Sequence, residues 1–193
     1  MSQRERWNAR YANAERPTVD QACEVLRRNR ALLPSAGTAL DLASGVGANA
    51  LLLAEHGLRV SAWDISEVAL DLLQQTTAAQ SLRLETLTRN VEQQPPEPVT
   101  FDVIVVSRFL HRPTLPALAT ALKPGGLLFY QTFNRAKPEG GPSNPDFLLE
   151  RGELLRVFSN LRLCFYQEYE QVGNTGQGNR FETLYVGQSP DKP

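Results

Sequence analysis

The segment ALDLASGVGANA, residues 39–50, has the residue types and spacing of a loop that cradles a ligand. An apolar run ends in Gly45-x-Gly47 and continues directly into a helical pattern. Because they lack a Cβ atom, these two glycines can adopt tight-turn dihedral angles and let a ligand approach the backbone. The helix that follows offers unpaired N–H groups to an anionic group. A lone Gly-x-Gly also occurs in plain strand-to-helix turns, so other residues must decide its role.

Asp64 supplies the second chemical feature. It stands at the end of the next apolar run, 19 residues after Gly45. An acid in that place can accept hydrogen bonds from both hydroxyls of a ribose, which suits any cofactor that contains adenosine. Ala50 completes the pattern Gly45-x-Gly47-x-x-Ala50, so a nicotinamide dinucleotide remains an alternative at this point.

The elements that would position these residues follow an α/β pattern, in which short β-type runs alternate with helical patterns. We predict a Rossmann-like, doubly wound sheet of seven strands, mostly parallel with an antiparallel last strand, and helices on both faces. The predicted strands are 38–43, 58–64, 82–88, 101–107, 126–133, 161–169 and 180–187. Helices are predicted at 48–56, after the cap residues Ser66 and Thr114, and at 153–158.

Two segments outside this alternation are predicted to cover the site. Residues 7–14 and 19–33 read as amphipathic helices, the second capped by Thr18 and ended by Pro34, so that residues 1–35 cover one end of the sheet. Residues 134–146 are rich in Pro, Gly and Asn without an apolar period, which indicates a surface loop that could act as a lid. The whole chain, 1–193, is predicted to form a single domain.

Composition narrows the function classes. With 193 residues, 41% of them hydrophobic, the chain can bury a sizeable core, and 20 basic against 21 acidic residues create no field that would gather nucleic acid. No apolar run approaches the length of a membrane helix, and the charged N-terminal segment lacks an apolar centre, so we expect a cytoplasmic protein. The two cysteines and two histidines lack the spacing of metal ligands, and we predict no metal site.

Three further features point to one cofactor. Asp41 lies before the glycines, where it would be awkward beside a pyrophosphate but well placed for an ammonium group; the fourth predicted strand begins FDVIVVS; and KPGG leads into the fifth. At these residues the sequence resembles the class I S-adenosylmethionine (SAM)-dependent methyltransferases, in which such a loop, acid, aspartate-led strand and turn recur in this order. The resemblance covers roughly residues 7–186. The opening W-N-x-R-Y, residues 7–11, is similar to the small-molecule branch that includes tellurite-resistance and thiol or thiopurine methyltransferases.

The resemblance implies a SAM site. By that resemblance, Asp41 attracts the methionine ammonium, Asp64 holds the ribose hydroxyls, and Asn90 replaces the usual aspartate at the adenine amino group, a bond that an amide oxygen can also accept. Ala43 replaces the first glycine of the loop. The implied cofactor-binding residues are Asp41, Ala43, Ser44, Gly45, Gly47, Asp64, Ile65, Asn90, Val91, Ser107 and Arg108, the last two through backbone groups.

We therefore predict methyl transfer from SAM to a small-molecule acceptor by in-line displacement, in which alignment matters most and a base is needed only for a protonated acceptor. The predicted acceptor-side residues are His111 as a base, with Arg180 and Tyr11 as further contacts; Arg108 and Arg112 either bind an anionic substrate or lie exposed.

Three alternatives stay open. They are an NAD(P)-dependent oxidoreductase, although no Tyr-x-x-x-Lys pair is evident; a non-catalytic SAM-binding protein; and an RNA methyltransferase using Arg27, Arg28 and Arg30. No obligatory protein partner is indicated.

Overall fold

The computed structural model describes residues 1–80, 82, 84–136 and 141–191, and these ranges contain one sheet of seven strands. The strands are β1 (Thr38–Leu42), β2 (Arg59–Asp64), β3 (Leu84–Thr88), β4 (Phe101–Ser107), β5 (Leu122–Phe133), β6 (Arg162–Gln167) and β7 (Glu182–Gln188). They lie in the order β3-β2-β1-β4-β5-β7-β6. All pairings from β3 to β5 are parallel, whereas β7 is antiparallel to both β5 and β6, which confirms the predicted architecture.

The strand order has a direct consequence for function. From β1 the chain first moves outward to β2 and β3 and then returns to β4 on the other side of β1. In open α/β sheets such a reversal leaves a crevice beyond the carboxyl ends of the strands, and ligands bind there. The ends of β1 and β4 are therefore where a site is expected.

The helices are α1 (Gln3–Tyr11), α2 (Glu24–Arg28), α3 (Ala48–Glu55), α4 (Glu67–Ala79), α5 (Leu115–Ala121) and α6 (Glu153–Val157), with 3-10 turns at Val19–Gln21, Arg30–Leu32, Arg112–Thr114 and Pro145–Phe147. Along β4, Val103 and Val105 pack into one core with α3, while Ile104 and Val106 pack into the other with α5. Since successive strand residues point to opposite faces, the continuous apolar run of β4 follows from burial on both sides. In the described ranges, no helix is both long and apolar enough to cross a membrane.

The predicted single helix at 19–33 is wrong. The segment forms a 3-10 turn, the short helix α2 and a second 3-10 turn, with extended backbone at Ala22 and Cys23 between the first two. Side chains from elsewhere capture the amides at this break: Asn49 Oδ1 accepts from Cys23 N at 2.8 Å, and Gln131 Oε1 accepts from Val25 N at 2.8 Å. These bonds connect residues 26 and 106 positions apart, so local periodicity could not predict them.

Smaller differences concern the ends of helices. Helix α1 begins earlier than predicted, because Ser2 and Glu5 form a capping box, and it ends at Tyr11. Ser66 caps α4 by accepting from Ala69 N at 3.2 Å, as predicted. Thr114 does not cap α5, because its own backbone is helical and its hydroxyl bonds His111 Nδ1 at 2.7 Å.

The acid at the start of β4 and the KPGG segment lie at the amino ends of the parallel strands, opposite the carboxyl ends. Lys123 Nζ donates to Asp102 Oδ2 at 2.9 Å, and the same oxygen accepts from Thr38 N at 2.7 Å. This contact connects β1, β4 and β5. Both motifs therefore hold the sheet together rather than line the site.

Candidate cofactor and acceptor site

A cleft of about 1750 Å³ opens at the carboxyl ends of the parallel strands. It exceeds the roughly 300 to 1,000 Å³ of most small-molecule sites, so it has room for a cofactor and a second ligand. Its walls include the implied residues Ala43, Ser44, Gly45, Asp64, Ile65, Asn90, Val91, Ser107 and Arg108, together with Tyr11. Residues that are far apart in sequence come together here, because the carboxyl ends of several parallel strands lie side by side.

The glycine loop is fixed to the end of β2. Ser44 N donates to Trp63 O at 3.0 Å, and Gly45 N donates to Asp64 Oδ2 at 2.7 Å. Gly45 has φ 53°, and a Cβ built on it would lie 2.7 Å from the Tyr11 hydroxyl. Gly45 therefore faces the cleft, and Tyr11 lies directly against it.

Gly47 has a different role from the one implied by the resemblance. It begins α3 with φ 84°, and a Cβ there would collide with the Leu73 side chain of α4 rather than reach the cleft. Ala43, in the place of the first glycine, also has a positive φ, of 54°. The loop thus needs left-handed backbone at three positions, but only Gly45 lies under Tyr11.

Asp64 is 6% exposed and lines the cleft. Burial raises the pKa of its carboxyl, while hydrogen bonds from the backbone amides of Ser66 and Gly45 act in the opposite direction. Oδ1 accepts from Ser66 N at 2.8 Å and Oδ2 from Gly45 N. Since each carboxylate oxygen has a second lone pair, both can still accept a hydroxyl.

Asp41 does not line the cleft. It is fully buried; Oδ1 accepts from Asn49 Nδ2 at 3.2 Å, Oδ2 accepts from Ala50 N at 3.0 Å, and burial raises its pKa to about 8. Asn49 lies between Asp41 and the cleft and also donates to Ser107 Oγ at 3.3 Å. Sequence reasoning missed Asn49, although its amide is the one polar side chain among the first seven residues of the helix ANALLLAE and was an available signal.

Tyr11 and its helix cover the cleft from above. Tyr11 stacks on Trp7 at a centroid distance of 5.7 Å, and burial, followed by the nearby Asp64 charge, raises the pKa of Tyr11 to about 12. Its hydroxyl therefore stays protonated at neutral pH and can donate a hydrogen bond. Asn8 connects α1 to the start of α4: its Oδ1 accepts from Ser66 Oγ at 2.7 Å and its Nδ2 donates to Glu67 Oε1 at 2.9 Å.

The structure does not bring Arg180 or His111 into the walls of the cleft. The position of Arg180 just before β7 is near the cleft edge, but its guanidinium turns into the preceding turn. There it donates to the carbonyls of Gln177 at 2.7 Å and Asn174 at 2.6 Å and stacks on Tyr169. His111 bonds Thr114 through Nδ1, which ties it to the adjacent 3-10 turn.

Arg108 and Arg112 have separate surroundings. Arg108 lines the cleft, and its Nε donates to Glu182 Oε1 at 2.7 Å. Arg112 lies outside it and forms a two-point ion pair with Glu153, at 2.8 and 2.9 Å, while donating to the carbonyls of Asp146 and Leu148.

Part of the predicted lid, residues 137–140, lies outside the described residues. Its described remainder contributes Gly141, Pro142, Ser143 and Asn144 to the cleft wall, and Phe147 follows them. Among the described residues, no group of three His, Cys, Asp or Glu side chains is arranged to hold a metal ion.

Known proteins resemble this chain in sequence and in fold. Residues 39–126 match a family model described as a methyltransferase domain. Curated relatives include the ubiquinone biosynthesis O-methyltransferases of two Coxiella burnetii strains, RSA 493 / Nine Mile phase I and Dugway 5J108-111. Each is 31% identical over 101 residues, a match that covers 50% of this chain and 43% of the relative. The matched segment thus spans less than half the length of these relatives.

Solved structures share the fold across most of the chain. TehB from Haemophilus influenzae aligns with a TM-score of 0.68 and 22% identity over 86% of this chain and 61% of TehB. A SAM-dependent methyltransferase from Aquifex aeolicus aligns with a TM-score of 0.69 and 16% identity, covering 94% and 97% of the two chains. A structure reported for the conversion of a disulfide bond into a thioacetal group during echinomycin biosynthesis aligns with a TM-score of 0.73 and 18% identity, covering 100% and 94%.

The sheet order and the cleft at the carboxyl ends of its strands define a Rossmann-like fold with a candidate ligand site. The match to the methyltransferase-domain model covers residues 39–126, a little under half of the 193-residue chain. Residues 39–126 are thus similar to methyltransferase domains, and most of the chain shares its fold with solved structures of SAM-dependent methyltransferases.

Proposed function

We propose that this protein transfers a methyl group from SAM to a small-molecule acceptor. The observation that carries the proposal is the contact between Gly45 N and Asp64 Oδ2 at the wall of the cleft. It brings a backbone without a side chain and a carboxylate with spare lone pairs to one place. Such a cradle suits an adenosyl group, whose ribose presents two hydroxyls.

The residues around this contact fit the rest of the cofactor. Ile65 and Val91 offer apolar surface beside Asn90, which suits an adenine ring. On the other side of Asp64, Asn49 and Ser107 offer polar groups for the methionine end, with Ala43 and Ser44 between the two ends. We propose that Asp41 acts behind this surface, by accepting a hydrogen bond from Asn49 and so fixing its amide.

When bound, SAM supplies an electrophilic methyl group: an acceptor lone pair forms the new bond to carbon, and the electrons of the broken carbon–sulfur bond stay on sulfur. The residues of the chain contribute alignment and the exclusion of water. Tyr11 and Trp7 close the cleft above Gly45, and the Tyr11 hydroxyl donates rather than removes a proton, since its pKa is raised to about 12. Neither Arg180 nor His111 is retained as a catalytic group in the proposal.

A small-molecule acceptor is favoured over RNA. Arg28 is paired with Glu24 at 3.0 Å and lies over Phe165, and Arg27 Nε donates to Ala22 O at 2.9 Å, so these arginines have local partners. Arg30 belongs to a separate 3-10 turn. A cytoplasmic location and the absence of an obligatory protein partner stay predictions from the sequence.

Isothermal titration of the protein with SAM, S-adenosylhomocysteine and NADH tests the cofactor. We expect saturable binding of the first two and none of NADH. An absence of heat with both sulfur compounds, or equal binding of NADH, would overturn the proposal. Mass spectrometry of thiols, phenols and amines incubated with SAM then tests transfer. Tight SAM binding without any methylated product would favour the non-catalytic alternative.

A further inference from the structure

The strand order divides the cleft into two halves. The ends of β2 and β3 carry Asp64 and Asn90, the groups assigned above to adenosine. The ends of β4, β5 and β7 lie on the opposite side of β1 and carry Arg108, Gln131 and Glu182. If the cofactor occupies the first half, the second half remains for the acceptor.

Arg108 is held in an unusual conformation at this second half. It has φ 52°, which is unfavourable for a residue other than glycine, and its backbone N donates to Gln131 O at 2.8 Å. The guanidinium lies over the Phe133 ring, with 5.7 Å between Cζ and the ring centroid. Strained backbone of this kind persists only where surrounding contacts maintain it, and it is often found at functional sites.

Glu182 fixes the direction of the Arg108 side chain. Glu182 is 4% exposed; Oε1 accepts from Arg108 Nε at 2.7 Å, and Oε2 accepts from Gln131 Nε2 at 2.6 Å and from Asn179 Nδ2 at 3.0 Å. Burial alone would raise the pKa of Glu182, but the hydrogen bonds from Arg108, Asn179 and Gln131 outweigh it and lower that pKa. The carboxylate is therefore ionised and already accepts three hydrogen bonds, one at Oε1 and two at Oε2.

The outer edge of the guanidinium is still available. Arg108 uses Nε for Glu182, whereas its two terminal nitrogens make no hydrogen bond within the part of the chain that the structure describes, and its side chain is 66% exposed. Paired terminal nitrogens match the two oxygens of a carboxylate or a similar oxyanion, and they do so with fixed geometry.

Apolar surface surrounds this charged edge. Phe109, Leu110, Phe133 and Phe147 line the same cleft. From this combination we propose that the methyl acceptor has an apolar or aromatic body and one oxyanion group, and that Arg108 is the specificity-determining residue that binds that group. The inference rests on the proposed function, because it takes SAM to occupy the other half of the cleft.

The test uses matched acids and esters. Thiosalicylate and 4-hydroxybenzoate are each compared with their methyl esters, by calorimetry on protein saturated with S-adenosylhomocysteine and by methylation assay with SAM. We expect the acid of at least one pair to bind 10-fold or more tightly than its ester. We expect that preference to fall below 2-fold in Arg108→Gln and to be partly retained in Arg108→Lys, which keeps the charge without the fork.

Arg59→Gln is the matched control, since Arg59 is exposed at the start of β2, at the amino end of the sheet, and loses the same charge. It should keep the full preference. A wild type that binds no acid better than its ester, including one that binds neither, overturns the inference, as does a preference that survives in Arg108→Gln. The affinity for S-adenosylhomocysteine, measured on every variant, separates the two claims. A wild type that does not bind S-adenosylhomocysteine contradicts the proposed function. A wild type that binds it but shows no preference for the acid contradicts only this inference.

Discussion

Asp64 is the residue that organises the candidate site, because its two carboxylate oxygens accept hydrogen bonds from backbone amides of two different segments. One oxygen orders the glycine loop through Gly45, and the other orders the start of α4 through Ser66. A single carboxylate thus positions two elements while keeping lone pairs for a ligand. Removing it should affect binding more than a lost contact on a preformed surface would.

We expect Asp64→Ala to weaken S-adenosylhomocysteine binding by about 1 to 3 kcal/mol, roughly 5- to 150-fold in Kd, because hydrogen bonds to a charged group are lost. Calorimetry measures this directly. Asp71→Ala, at an exposed aspartate of α4, is the control and should bind as the wild type does. Unchanged affinity in Asp64→Ala would contradict the assignment of Asp64 to the ribose.

Gly45 and Tyr11 are expected to behave as a pair. In Gly45→Ala the new Cβ would lie 2.7 Å from the Tyr11 hydroxyl oxygen but 3.3 Å from Tyr11 Cζ, and φ 53° adds strain. We expect Gly45→Ala to weaken cofactor binding at least 10-fold and Gly45→Ala/Tyr11→Phe to recover part of the loss, because the closest atom is removed. Calorimetry on both variants and on Tyr11→Phe alone measures the coupling. Additive effects would show that Tyr11 does not lie over Gly45 in solution.

At the scale of elements, α1 is docked in an unusual way. None of its residues is buried, and its position depends on polar contacts from Asn8 to Ser66 and Glu67 and from Gln3 to Glu92. Polar contacts at a surface are individually weak, typically about 1 kcal/mol. The helix over the cleft can therefore open without disrupting the core.

We expect Asn8→Ala to loosen α1 and leave the core intact. Trp7 fluorescence should become more accessible to a neutral quencher, and S-adenosylhomocysteine should dissociate faster, while the melting temperature changes by less than that of a core variant. Asn13→Ala, an exposed residue beyond the end of α1, is the control. If quenching and dissociation match the wild type, Asn8 does not hold the helix in place.

Arg112 positions a second element beside the cleft. It donates to Leu148 O and pairs with Glu153, and so connects the segment that ends in Leu148 to α6. We expect Arg112→Lys to break the two-point ion pair and to displace Phe147 and Asn144 from the acceptor side. The KM for the acceptor should rise severalfold, with unchanged affinity for S-adenosylhomocysteine. A matching loss of cofactor affinity would mean that Arg112 acts on the whole fold.

Across the whole molecule, the carboxyl ends and the amino ends of the parallel strands differ in function. The carboxyl ends carry the cleft, whereas the amino ends carry the contact among Asp102, Lys123 and Thr38. Burial opposes ionisation of Asp102, but hydrogen bonds from Thr38 and Lys123 outweigh it and lower its pKa. A lowered pKa in the folded state means that this stabilisation is present above the pKa of the unfolded chain and is lost as pH falls.

We expect Asp102→Asn to reduce the free energy of unfolding at pH 7 by about 1 to 2 kcal/mol, a modest figure because the pair is partly exposed. The difference from the wild type should shrink as the pH falls below about 4, where aspartate in the unfolded chain begins to take up a proton, and should be lost once folded Asp102 is protonated at its lower pKa. Urea unfolding at several pH values measures it. Cofactor affinity should not change. A loss comparable to that of Asp64→Ala would contradict the conclusion that the contact at the amino ends of the strands stabilises the fold without affecting the cleft.

Several features could be predicted from the sequence. The alternation of apolar runs predicted all seven strands, and Gly45 with Asp64 predicted where the cleft would open. These succeed because burial on both faces imposes a local apolar pattern and because tight turns need particular residues. The side chains of Arg180 and His111 could not be placed in the same way, since the carbonyls and the hydroxyl they bond are supplied by folded turns.

The amino-acid sequence by itself determined the class of fold, the cradle and its carboxylate, because strand period, glycine and charge act over a few residues. Only the tertiary structure decided that Asn49 stands in front of Asp41, that α2 is short, and that Glu182 directs Arg108 into the cleft. Those outcomes depend on hydrogen bonds between residues that meet only after the sheet has assembled, and no local pattern encodes them.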